Sequence, residues 1–85
     1  MGHELHEVGR VSHVYDRINV AVVEVEDTIT VGDLILIKGP CTDIEQTVKS
    51  MEIEHNKVQA AQQGQSIGMK VNGHVHTNDT IYKTE

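Results

Sequence analysis

Neither phenylalanine nor tryptophan occurs in this chain of 85 residues, and tyrosine occurs twice. Any core built here has to be aliphatic, and valine and isoleucine, stiff at χ1, favour strands over helices. A single cysteine, Cys41, excludes a disulfide within these residues. It follows Gly39-Pro40 with no basic neighbour to stabilise a thiolate, so it reads as a turn thiol and not a nucleophile. Positive charge is scarce: 7 Lys and Arg stand against 13 Asp and Glu, a net charge of −6. General polyanion binding runs on counterion release by Lys and Arg, so a whole-domain nucleic-acid footprint is excluded and only a local site is left open. No apolar run approaches the ~18 residues of a membrane span, and the opening MGHELHEVG has no signal-like apolar core. A cytoplasmic protein is expected. The phosphate loop G-x-x-x-x-G-K followed by Ser or Thr is missing, which argues against a GTPase. So is any stretch of ten residues with a 3.6 period.

What is present is a succession of short strand signals. The organising stretch runs from Ser50 to Val71. Its last part alternates, with Ile67, Met69 and Val71 on one face and Ser66, Gly68 and Lys70 on the other. Residues 56–64 between the two ends are too long for a tight hairpin and too short for a crossover helix, so a loop tucking Val58, Ala60 and Ala61 under itself is expected. Residues 1–7 are polar and read as a flexible N-terminus, and residues 8–85 as one domain. Strands are expected over 8–15, 20–26, 34–38, 44–55, 66–72 and 80–84. Gly9 marks a bulge or a close backbone approach. Residues 16–19 form a turn, and Gly32 supplies a positive φ between Val31 and Asp33. The run of Leu34 to Ile37 suggests burial on both faces, and the broken alternation of Val48 and Met51 a bulge at Lys49-Ser50. Six short strands with turns every 8–12 residues argue an all-β fold: a small closed six-stranded antiparallel β-barrel.

In that order the motifs resemble a family. Gly9-Arg10-Val11, Ile29-x-Val31-Gly32-Asp33 and Ile35-x-Ile37-x-Gly39 are similar to the opening half of domain 2 of elongation factor Tu and its relatives. Ser50 to His55, Ala60-Ala61 and Gly64 to Gly68 resemble its second half. A similar barrel forms the C-terminal domain of collagenase-like peptidases. Asp43, Glu45, Gln46, Val48, Ser50, Met51, Ile53, Glu54 and His55 are close to the run that barrel carries, as is the ending Asp79-x-Ile81-Tyr82-Lys83. The first resemblance implies a stand-alone, non-catalytic binding module for tRNA, a ribosomal component or a protein. The second implies a detached accessory domain of a collagenase-like peptidase with a separate catalytic chain.

The elongation-factor resemblance places a binding pocket at His55 and Ser66, and Lys57 joins them as a nearby cation. Ser66 stands where the family has Asn, and the family's pocket aromatic has no phenylalanine to replace it, which weakens stacking. No catalytic residue, cofactor or metal is expected. His3 and His6 are i and i+3 without a helix, and His74 and His76 are at most half a metal site. Glu52 and Glu54 would share a strand face but need a cleft to act as a carboxylate pair. Arg10 and Lys70 would form a small basic spot if the first and fifth strands were close.

Overall fold

The structure, a computed structural model, describes residues 5–84. Ten strands and no helix occur among these residues, so nothing in them is a helix long and apolar enough to cross a membrane. The chain opens with a long hairpin, β1 (Leu5–Tyr15) and β2 (Val20–Val25), closed by the expected turn at 16–19. Next come the two-residue β3 (Ile29–Thr30) and a second hairpin, β4 (Leu34–Gly39) with β5 (Thr42–Thr47). A third hairpin joins β6 (Met51–Ile53) to β7 (Asn56–Val58), followed by β8 (Ala60–Ala61), β9 (Ser66–Lys70) and β10 (Thr80–Thr84). Eight strands form one antiparallel sheet in the order β5-β4-β10-β1-β2-β9-β6-β7, and β3 pairs with β8 apart from it.

The all-β antiparallel class expected from the sequence is present; a closed six-stranded barrel is not. No sheet closes on itself, because β5 and β7 are both left as edges. Yet only residues 48–50 separate β5, at one edge, from β6, next to the other. The four steps from Thr47 to Met51 span roughly 14 Å at most, so the sheet has to curl until its ends nearly meet. Side chains and single backbone bonds then tie the seam in place of a ladder. Gln46 on β5 donates through Nε2 to the Lys70 carbonyl at 3.0 Å, and its Oε1 accepts the Asn72 amide at 2.8 Å. Val48 extends the β4–β5 pairing by donating to the Asp33 carbonyl and accepting from the Gly32 amide, both at 2.9 Å, while Val31 donates across to the Gln59 carbonyl at 2.8 Å beside the β3–β8 pair.

Val48 also corrects an expectation. Residues 44–55 are not one bulged strand but two strands on different partners, β5 on β4 and β6 on β9. Alternation fails there because the chain changes partners, while Val48 and Met51 both stay buried. The loop expected at 56–64 holds β7 and β8. Its Ala61 is fully buried and Val58 packs against the core. Residues 74–76 are no strand, although Val75 is buried. At the N-terminus the ladder reaches further than expected, with Leu5 opposite Thr84 and His6 opposite Lys83.

The core is aliphatic, as the missing aromatics require. Val8, Val11, Val23, Ile29, Ile35, Ile37, Ile67, Met69 and Ile81 are at most 1% exposed. Each such side chain contributes about 1.5–3 kcal/mol by leaving water. Leu34 to Ile37 is not buried on both faces: Ile35 and Ile37 point inward, while Leu34 is 40% exposed and Leu36 half-buried. Gly9 is both a bulge and a close approach. The β1–β10 register shifts between Glu7 and Gly9, and a Cβ at Gly9 would meet Val23 at 2.7 Å. Gly32 has φ 101°, the left-handed value its turn needs.

Candidate functional site

The outer face of β2, β9 and the β6–β7 hairpin carries a groove of about 830 Å³. Its origin lies in one row across the sheet. Val22 stands opposite Gly68, Gly68 opposite Glu52, and Glu52 opposite Lys57. Directly opposed residues share a face, so a glycine in mid-row leaves a trough one side chain deep. The second outward valine, Val20, extends the floor between Tyr15 on β1 and Lys70 on β9. Tyr15 and Ile18, 50% and 55% exposed, stand at one side. The β6–β7 turn stands at the other.

That turn holds two residues, Glu54 and His55, at φ 50° and 67°. Two consecutive left-handed residues between paired strands are the geometry of a type I′ hairpin, which Asn-Gly adopts readily and Glu-His does not. The chain therefore carries backbone strain at the groove wall, the kind of strain that clusters at functional positions. His55, Lys57 and Ser66 all line this groove. The three positions named from sequence thus come together in space. Ser66 donates to Glu24 Oε2 at 2.7 Å, while Lys70 donates to the Ile18 carbonyl at 3.1 Å.

Tyr15 and Ile18 escaped the sequence reading. The signal that points to Tyr15 is its place immediately before the 16–19 turn. Tyr15 also packs edge-on against His13, with ring centroids 4.6 Å apart.

Other candidates are not assembled. Arg10 faces Glu24 at one end of β2, whereas Lys70 faces Val20 at the other, so the two form no common spot. Glu54 has left the strand for the turn, which breaks the spacing that would pair it with Glu52. His3 lies outside the described residues. His76 Nδ1 is 2.8 Å from Thr42 Oγ1, and no three His, Cys, Asp or Glu of the described residues gather as a metal site. The same nitrogen lies 3.9 Å from the buried Asp79, which accepts the His76 amide at 2.7 Å. A catalytic triad needs its acid and its hydroxyl on different ring nitrogens, so this cluster fastens the 76–79 turn and activates nothing.

Away from the groove, a hydrogen bond shared with Glu7 raises the carboxyl of Glu26, helped by slight burial and the charge of Glu7 and opposed by Arg10. Asp27 is held low by its hydrogen bond to His6 and by the Thr28 amide.

No family model matches the chain. Its fold is that of the C-terminal domain of a Geobacillus thermoleovorans protein described as a U32 peptidase. The TM-score is 0.86 at 21% identity, over 92% of this chain and 91% of that one. The selenomethionine form of the same domain gives 0.85 at 20% identity, over 89% and 96%. In sequence the chain is 40% identical over 77 residues to an uncharacterized protease of Methanocaldococcus jannaschii. That match takes in 89% of this chain and 19% of the relative, so the chain spans about a fifth of the protein it matches. These relatives support the collagenase-like peptidase resemblance; the elongation-factor resemblance finds no support among them.

Proposed function

We propose that this domain is a non-catalytic accessory domain of a U32-peptidase-type protein, working with a catalytic unit outside these 85 residues. The observation that carries the reading is the 40% identity to one segment of a protease. The size of the match supports an accessory role: it takes in 89% of this chain but 19% of the relative, which leaves most of that protein outside the matched segment. Affinity capture from an extract of the source cells, followed by mass spectrometry, tests it. Recovery of a U32-type catalytic polypeptide is the expected result. Recovery of ribosomal proteins and tRNA without one would overturn it.

A second reading, contact with the 3′ end of a tRNA, is favoured by one observation. Tyr15, across the same groove from His55, offers an aromatic surface on which a base would stack. Titration of labelled aminoacyl-tRNA at low and high salt tests this. Binding that weakens in His55→Ala and Tyr15→Ala but hardly changes with salt is the expected result, because few phosphates would be neutralised. No binding at tens of micromolar retires the reading.

A further inference from the structure

The leucine-rich strand that turns out not to be buried on both faces has an outer side. Across β5, β4, β10 and β1 the register sets Glu45 opposite Leu36, Leu36 opposite Tyr82, and Tyr82 opposite Glu7. An apolar pair thus lies between two carboxylates in a single outward row. The next row adds Leu34 opposite Thr47, and Leu5 opposite Thr84, with Leu34 40% and Leu5 44% exposed. Soluble surfaces tolerate single exposed leucines, but a cluster of them with charged groups at its rim marks a contact surface. This face is separate from the groove, which lies on β2, β9 and the β6–β7 hairpin.

Charge says what kind of surface fits. Glu26 shares a hydrogen bond with Glu7 at the rim, so two acidic groups crowd there with Arg10 as the nearby cation. Lys38, in the row beyond, already faces Asp43 at 3.6 Å. A lysine or arginine from a partner would relieve the Glu7–Glu26 crowding, and a second would meet Glu45. Like-charged partners, including another copy of this chain at −6, meet repulsion instead.

We infer that the outer face of β4, β10 and β1, centred on Leu36 and Tyr82, is where this domain docks on its catalytic unit, through an apolar patch edged by lysine or arginine. The inference rests on the accessory-domain reading.

The probe is the Methanocaldococcus jannaschii protease with its matching segment removed, titrated with this chain by calorimetry. The chain is expected to bind, more weakly at high salt. Leu36→Glu is expected to weaken binding at least about tenfold, as is Glu45→Lys, a fully surface change that leaves the core untouched. Gln63→Glu, in the exposed 62–65 turn that belongs to neither surface, is expected to leave it unchanged, with circular dichroism verifying that every variant, Lys57→Glu included, is folded. Binding lost in Lys57→Glu but kept in Leu36→Glu and Glu45→Lys overturns the docking face and leaves the accessory reading standing. No binding by the unaltered chain overturns both. A dimer of this chain that Leu36→Glu dissolves also overturns the inference, because the face is then covered by a second copy.

Discussion

A methyl group on Gly39 would collide with Oδ1 of Asp79, a buried carboxylate fixed by the His76 amide. Neither side can yield without breaking the 76–79 turn. Gly39→Ala is therefore expected to destabilise by about 2–3 kcal/mol in urea denaturation, at the upper end of overpacking costs. Gly32 is a different case. Nothing lies within 4 Å of its absent Cβ, so Gly32→Ala costs only backbone strain at φ 101°, about 1–2 kcal/mol. Gly68→Ala is the control, since its Cβ would make an ordinary 3.5 Å contact with Val20 and keep stability near the parent value. Of these glycines, Gly32 was legible in the sequence because Val-Gly-Asp is a turn grammar. Gly39 was legible only as the end of a strand, because the atom that forbids its side chain lies 40 residues away in the chain, on Asp79.

Among the elements, the β6–β7 hairpin holds the clearest stored strain. Replacing Glu54-His55 by Asn-Gly is expected to raise stability by about 1–2 kcal/mol, measured by thermal and urea unfolding. If the groove is a working site, the same change should cost it affinity, a trade in which stability is gained at the expense of function. The seam gives an opposite result. Gln46→Ala leaves the Lys70 carbonyl and the Asn72 amide without their partner and is expected to cost about 2–4 kcal/mol. Strand existence could be read from alternation, and the hairpin at 16–19 from its turn residues. The division of residues 44–55 between two partners could not. Periodicity reports which side of a strand is buried, not which neighbour it pairs with, and Val48 keeps the apolar character of both halves while changing the partner. The turn at 54–55 was invisible for another reason: neither residue is one that turns prefer.

For the molecule as a whole, pH acts through two surface acids with opposite signs. Glu26 is raised above its ordinary value, so its neutral form is the comfortable one, and stability is lost as pH climbs through that raised value. Asp27 is lowered, so its contribution is present above the ordinary carboxylate range and disappears as pH falls through the lowered value. Glu26→Gln is accordingly expected to stabilise slightly, by well under about 1 kcal/mol, near pH 7, and to give no gain near pH 4. Urea midpoints at the two values read the difference. The all-β class was legible because short strand signals recur with turns between them and no stretch carries a 3.6 period, and the described residues are all-β. The near approach of the two edges was not legible, since it rests on a side-chain amide and on residues 48–50 and not on a repeating pattern.

One pairing has a mechanical side. Leu5 stands directly opposite Thr84, so β1 and β10 enter and leave the fold at the same corner. A force applied between those two residues loads the ladder one rung at a time, like a zipper drawn from its open end. The domain should then yield gently under a pulling experiment, peeling β1 from β10 before any other strand moves. A tether on Tyr15 and Thr84 instead pulls along the strands and shears every rung together, and should hold against a markedly larger load.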